Sequence, residues 1–400
     1  MGWNSNEFPA RGTAAVAIVV ALSLASGCAA GETLPTEDFE PSIAQLHAYK
    51  AYHHADYLEK TAAQAGGTNR LLHTKRLPTE GNDPVVTPAL DHLYSKAVID
   101  LTQGPVVLEM PNVADGRYYS IHVTDQEHYT IYEEIRPVGR YAFVRMDANM
   151  TVPAGATPIE SRGAYPHLFI RVQVKTPDDL PNTLAVQEQI TLTGAVGTLE
   201  FDNPIQFTID THDVYDENAG LLAGVASSYD GATHEQMSQW AGAYFTANII
   251  DNTGMFGPID SDEAGADDPK VRAAAIIGHL GLPVHHAYYT GIFNNNKGEP
   301  LNGSVSYTVR LPYENNIGEF WSLTRYSALT RNTLPGQPDV YNAFNTEPDA
   351  DGNVHITFSV DDPQDGTYWM PVIAGEPYYY VERFYGPRGK VITTLDGFEK

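Results

Sequence analysis

The chain has 400 residues, with 50 Asp and Glu against 24 Lys and Arg, a formal net charge of -26. That balance excludes the basic footprint of a nucleic-acid binder, and 42% hydrophobic residues including 24 Tyr exclude wholesale disorder. The length accommodates two domains, each with its own core.

Residues 1–27 read as an export signal: Arg11 precedes the apolar run Ala14–Ala25, too short to span a bilayer but suited to a signal-peptide core. The only cysteine, Cys28, directly follows Leu24-Ala25-Ser26-Gly27, a context that resembles the lipobox of bacterial lipoproteins. The expectation is attachment to a membrane through a lipid on Cys28, which places the protein in the cell envelope, periplasmic or at the outer membrane. Simple cleavage and secretion is the alternative. With Cys28 lipidated no disulfide is available, so the fold rests on burial.

Residues 28–80 comprise a polar tether, Gly31–Pro41, and a helix over Ser42–Ala65 stopped by Gly66-Gly67. In that helix His53 and Asp56 fall at i, i+3 on one face, a spacing that suits two ligands of a metal ion or an imidazole hydrogen-bonded to a carboxylate.

Residues 81–211 predict a first β-sandwich, with strands at Pro105–Met110, Arg117–Asp125, Arg140–Met146, His167–Val174 and Gln189–Thr193. In the second of these, Tyr119, Ile121 and Val123 alternate with Tyr118, Ser120, His122 and Thr124, which predicts one buried and one polar, solvated face. Residues 212–283 turn helical: Thr233 and Gln236 form a capping box before Met237, Trp240, Tyr244 and Ala247, and Asp268-Pro269 opens a helix over Lys270–Leu280. The acidic stretch Asp260–Asp268 between them lacks the spacing of a calcium loop and reads as a solvated connection. Residues 284–400 predict a second sandwich, where Val305, Tyr307, Val309 and Leu311, and then Val354, Ile356, Phe358 and Val360, alternate with polar neighbours. The fold class is mainly β: two antiparallel, jelly-roll-like sandwiches with an N-terminal helix and a helical insert between them.

Two sets of blocks carry a resemblance. Thr87–Leu101, Gly104–Pro111 and Gly116–Asp125 are similar to the bacterial domain-of-unknown-function family 1254. Gly298–Pro312, Phe320–Ala328, Asp351–Phe358 and Tyr368–Pro387 resemble its usual C-terminal companion, family 1214. The resemblance implies two sandwich domains joined by helices, often in secreted or envelope-attached proteins, and implies no agreed reaction. His92, His122 and His128 stand outside the shared pattern, and Tyr368-Trp369-Met370-Pro371 replaces its Asn-Trp-Leu-Pro.

No nucleophile elbow, His-Glu-x-x-His, phosphate-binding glycine loop or dinucleotide fingerprint occurs. Acid/base chemistry is what the residue types leave open. His122, Asp125 and His128, at a strand end running into a loop, are the candidate catalytic set, with an Asp orienting a His as general base. Asp91, Tyr94, Arg117, Tyr118, Tyr378 and Tyr380 are candidate ligand-binding residues, Arg for a carboxylate or sulfate and Tyr for stacking on a sugar. The adjacent His285 and His286, on a strand, point to opposite faces and so cannot share a metal. Two function classes follow: an envelope protein binding a carbohydrate or another extracellular ligand, or a hydrolase or lyase using the His/Asp base with or without a metal. The sequence names no cofactor, leaves the metal ligands undetermined and permits an oligomer.

Overall fold

The computed structural model describes residues 39–78, 87–248, 251–261 and 268–399. The leader, Cys28 and most of the acidic stretch 260–268 therefore lie outside the described residues. Among those described, no helix is long and apolar enough to cross a membrane.

The first helix, α1 (Ile43–Ala65), starts at Ser42, whose hydroxyl accepts the Gln45 N–H while the Gln45 side chain accepts the Ser42 N–H, and it ends at Gly66 with φ 77. This reciprocal cap and left-handed stop satisfy the helix ends locally. The strands β1 (Leu72–His73), β2 (His92–Val98), β3 (Val106–Met110), β4 (Tyr119–Thr124), β5 (Thr130–Ile135), β6 (Gly139–Arg145), β7 (Ala156–Ser161) and β8 (His167–Gln173) follow. After α2 (Leu180–Gln187) and β9 (Thr191–Thr193) come the helices α3 (Pro204–Thr211), α4 (Asp216–Val225), α5 (Gly231–Asn248) and α6 (Pro269–Ala274). The chain finishes with β10 (Ala287–Ile292), β11 (Tyr307–Pro312), β12 (Trp321–Ser327), β13 (Val340–Asn342), β14 (Asn353–Ser359), β15 (Tyr368–Pro371), β16 (Tyr378–Tyr385) and β17 (Phe398–Glu399).

Each sandwich pairs two sheets. In the first, β1-β2-β8-β4-β5 faces β7-β6-β3-β9; in the second, β10-β16-β12-β13 faces β15-β14-β11-β17. The pairs β6–β7 and β14–β15 are parallel, so the sheets are mixed where alternation alone predicted antiparallel ones. The first core gathers Leu108, Tyr119, Ile121, Val123, Phe143, Ile170 and Val172. The second gathers Val309, Trp321, Leu323, Ile356, Phe358, Tyr378, Tyr380 and Phe384. Each such side chain contributes about 1.5–3 kcal/mol by leaving water.

The polar face of β4 is not solvated, contrary to the sequence-based expectation: every residue from Tyr119 to Thr124 is buried. The reason is a further layer. At one end, Tyr118 packs with Phe320 and Tyr385 of the second sandwich. The Ser322 hydroxyl there donates to Asp91 at 2.9 Å, and Arg383 donates to the Thr87 carbonyl at 3.1 Å. At the other end α1 and the helical insert cover Thr124 and His167, packing on one another through Leu46, Tyr49, Ile205, Leu222, Met237 and Trp240. The first sheet is thus a wall between an apolar core and a polar seam.

Helix starts in the insert deviate from the predicted ones by a turn or less. Asp230 rather than Thr233 caps α5, its carboxylate accepting the Thr233 N–H at 2.8 Å. Asp268 caps α6 as expected, but the helix tightens into a 3-10 turn at Ala275–Gly278 and does not run on to Leu280.

Candidate metal centre

Three imidazoles from distant parts of the chain meet in this seam. His54 lies on the buried face of α1, His128 in the turn between β4 and β5, and His279 after the 3-10 turn that follows α6. One ligand nitrogen of each lies within 4.8 Å of the others.

Local chemistry aims each ring. One Asp125 carboxylate oxygen accepts the N–H groups of Glu127 at 3.0 Å and Tyr129 at 2.9 Å, and the other accepts the Tyr215 hydroxyl at 2.9 Å. This tight turn forces His128 to φ 65, a strained conformation for a residue with a Cβ. Arg272 of α6, itself buried, donates to the His128 carbonyl at 2.6 Å and ties the insert to that turn. Leu280 sits at φ 64, its N–H donating to His128 Nε2 at 3.1 Å and its carbonyl accepting from Arg171 at 2.5 Å.

His54 Nδ1 lies 2.9 Å from His279 Nε2, while its Nε2 faces the Thr124 hydroxyl at 3.4 Å. An acceptor behind one nitrogen with the other turned inward is how ligating histidines are oriented. The His128 ring, accepting at Nε2, carries its proton on Nδ1, which is buried without a partner. An ion taking His128 at either nitrogen replaces the Leu280 bond, because Nε2 ligation uses its lone pair and Nδ1 ligation moves the ring proton against the Leu280 N–H. Burial, reinforced by the neighbouring imidazoles, holds all three rings neutral: His54 is pushed down to about 3, and His128 and His279 well below the ordinary value. Neutral, unprotonated nitrogens are the form a metal takes.

Residues 68–194 match the family model described as Protein of unknown function (DUF1254), and residues 286–389 match Protein of unknown function (DUF1214). The chain carries both of these domains, in that order. The VPA0106 protein of Vibrio parahaemolyticus, a solved structure, superposes with a TM-score of 0.64 at 20% identity, over 86% of this chain and 94% of that one. A solved, uncharacterized protein from Burkholderia cenocepacia reaches a TM-score of 0.49 at 13% identity, covering 88% of each chain. A search of curated proteins finds no match. Of the three histidines only His128 falls inside the DUF1254 segment; His54 and His279 lie outside both matched segments.

The sequence-predicted residues separate into three groups. His128 belongs to the cluster, and Asp125 shapes its turn without bonding to the ring, so the expected orientation of a histidine base by Asp125 is corrected. His122 is buried nearby, its Nε2 paired with the Thr130 hydroxyl at 2.9 Å and its Nδ1 unpartnered.

A second group lies where the DUF1254 and DUF1214 sandwiches meet. Asp91 is fully buried against Ser322, and Tyr118 bonds His286 Nε2 at 2.8 Å and Ser120 at 3.0 Å. Tyr94 is half-buried and stacked on Phe169 with ring centroids 4.9 Å apart. His285 and His286 precede β10 in a turn and both contact Glu133, correcting the expectation that neighbouring histidines point apart.

The third group is structural. Arg117, 1% exposed, is held by Asp115, Asp179, the Gln173 carbonyl and Thr183. Tyr378 and Tyr380 stack on Phe358 inside the DUF1214 core, with ring centroids 5.4 Å and 4.9 Å away. The expected ligand-facing role of these three is corrected, because their polar atoms are enclosed by protein.

Sequence reading missed His54, His279, Lys50 and Arg272. In α1 the pair His53-His54 offered a signal, but the i, i+3 partner of His53 drew the choice to the wrong ring. His53 instead lies 5.6 Å from the His234 ring and 5.3 Å from the His279 ring, at the half-buried margin of the cluster. A surface depression lined by Ala65, Asn69, Arg70 and Thr191 contains none of these histidines.

Proposed function

We propose that this chain binds one late first-row divalent metal ion, zinc foremost, through His54, His128 and His279, and acts as a metal-dependent hydrolase or lyase on a small molecule. The observation that carries this reading is the convergence of three neutral imidazoles from α1, the β4–β5 turn and the insert. An all-nitrogen donor set suits zinc, copper, nickel or cobalt and is poor for calcium or magnesium, which take oxygen. Three protein ligands leave a tetrahedral position for water, as in catalytic zinc sites, and the ion lowers the pKa of that water to about 7. The half-buried rings of Tyr52, His53, Tyr57 and His234 on the His279 side form an aromatic margin for an incoming compound. The same reading puts the enzyme in the cell envelope, tethered by a lipid on Cys28, on the strength of its leader.

Elemental analysis of purified protein is expected to give one equivalent of such an ion per chain. His54→Ala/His279→Ala should weaken zinc binding by at least about 10–100-fold. Protein that holds no metal as purified and gives no heat on titration with zinc after EDTA treatment overturns the reading.

A further inference from the structure

Beside the three histidines, on the other side of Leu280, lies a cation with no counter-charge. Arg171 is 5% exposed; its Nη2 donates to the Leu280 carbonyl, and its Cζ lies 4.6 Å from the Phe169 ring centroid. Its Nη1 is buried without a partner, and no carboxylate forms an ion pair with it among the described residues. A buried charge in that condition costs several kcal/mol unless something neutralises it.

The strand register sets what surrounds it. Arg171 is opposite Tyr94 on β2 and Ser120 on β4, one pair of residues from His92 and one from His122. Both ring nitrogens of His92 and Nδ1 of His122 are buried without hydrogen-bond partners, His92 Nδ1 lying 3.9 Å from an Asp91 carboxylate oxygen. The one N–H of His122 is spent on Thr130, whose hydroxyl itself donates to the Phe256 carbonyl, so the N–H of His92 and the guanidinium are the donors that favour an acceptor carrying negative charge. Two carboxylates border this face: Asp91, just before β2, is engaged by Ser322, and Glu133, opposite His122 on β5, is held by His285 and His286.

The site also has a way in. On the buried side of this sheet Tyr94, Lys96 and Phe169 keep partial exposure while His92, His122, His167 and Arg171 around them are buried. Solvent therefore enters between α1 and the second sandwich. Lys96, whose ammonium donates to the Tyr57 hydroxyl at 3.1 Å, stands at that entrance. In a chain of net charge -26 this opening has two cations, Arg171 and Lys96, neither of them in an ion pair with a carboxylate among the described residues.

We propose that Arg171, with His92 beside it and Lys96 at the mouth, forms a binding site for a small monocarboxylate. One buried guanidinium with one free nitrogen matches a single negative charge better than a phosphate dianion. The site does not require the metal. If both are present, the Leu280 peptide separates them, and the carboxylate would fix a compound whose other end reaches the ion.

The test is calorimetric titration of sodium benzoate into the EDTA-treated full chain at pH 7 and low chloride, which leaves the metal reading untouched whatever the result. Saturable one-site binding is expected, weakened by about tenfold or more in Arg171→Gln, as for loss of a charged hydrogen bond. The melting temperature of the wild type should rise with benzoate. Absence of binding, or equal affinity in Arg171→Gln, overturns the site. Should Arg171→Gln lack a cooperative melt, Lys96→Met takes over: about threefold weaker binding is expected from an exposed charge, and unchanged affinity counts against the proposal.

Discussion

Replacing Arg117 by leucine is expected to destabilise the protein by about 3–5 kcal/mol, the range for removing one partner of a buried ion pair. Its guanidinium donates to the Gln173 carbonyl at 2.9 Å, Thr183 at 2.8 Å, Asp179 at 3.0 Å and Asp115 at 2.5 Å. It thereby joins the start of β4, the end of β8 and the start of α2. Leucine fills part of the volume and supplies no donor, so the Asp179 carboxylate and the carbonyl at the end of β8 lose their partner in a site closed to water. The two carboxylates should not matter equally. Asp115 is 44% exposed and Asp179 12%, so Asp115→Ala should cost under about 1 kcal/mol and Asp179→Ala more. Urea midpoints at constant slope give the order. A structural arginine predicts Arg117→Leu worst, then Asp179→Ala, then Asp115→Ala. Should Arg117→Leu prove as stable as Asp115→Ala, the network is not what holds these elements together.

What could be read from the sequence followed from local periodicity. The alternation in His167–Gln173 locates β8 and its core residues Leu168, Ile170 and Val172, and Ser42 and Gly66 bracket α1. The other side of the same strands was not legible. Tyr118, Ser120, His122 and Thr124 alternate as they would against water, and no local pattern tells water from a second polar layer. Only the docking of the second sandwich and α1 decides it. The short α2, hidden in a region read as strand, and the strands β5 and β7 were missed because their residues lack clean alternation. The candidate site divides the same way. His128 could be picked as a histidine following a strand end, whereas His54 and His279 become its neighbours only after the insert folds over α1. The choice between His53 and His54 turned on about 100° of helix rotation, and α1 gave no guidance because its buried face carries Lys50 and His54 as well as Leu46 and Leu58.

Acidification from pH 7 to pH 5 is expected to destabilise the protein steeply, while replacing Lys50 by methionine stabilises it at pH 7. Burial, helped by nearby Lys50, pushes His47 down to about 3, and burial pushes His54 to about 3 and His53 and His234 to about 4. The folded pKa of each is depressed below the unfolded value near 6.5. Their contribution is therefore intact above pH 6.5 and is lost as pH falls through the window between 6.5 and 3–4, because unfolding takes up protons there. At pH 5 the fully buried ring of His54 costs about 2 kcal/mol, and His47, His53 and His234, which retain partial solvent, cost less. Asp91 and Asp125, raised by burial, act in the opposite sense, their stabilisation being lost as pH rises above 3.8 through their raised values. They and Glu319, likewise raised, are fewer than the histidines that burial holds down, and loading the three histidines with metal adds to the acid sensitivity, since protons displace the ion.

Lys50 obeys the same rule in a higher window. It is 2% exposed, its ammonium has no hydrogen-bond partner, and burial followed by the charge of Arg272 pushes it down to about 7. Its cost accrues as pH falls from 10.5 to 7 and is complete near neutrality. Lys50→Met keeps the chain length, removes the amine and should raise the urea midpoint at pH 7, with the gain shrinking as pH climbs toward 10. Urea titrations of EDTA-treated protein at pH 5, 6, 7 and 9 measure both effects. A wild-type midpoint that is flat or rising from pH 7 to pH 5 is incompatible with a seam of buried neutral histidines, and an unstable Lys50→Met would mean that the ammonium is paired after all.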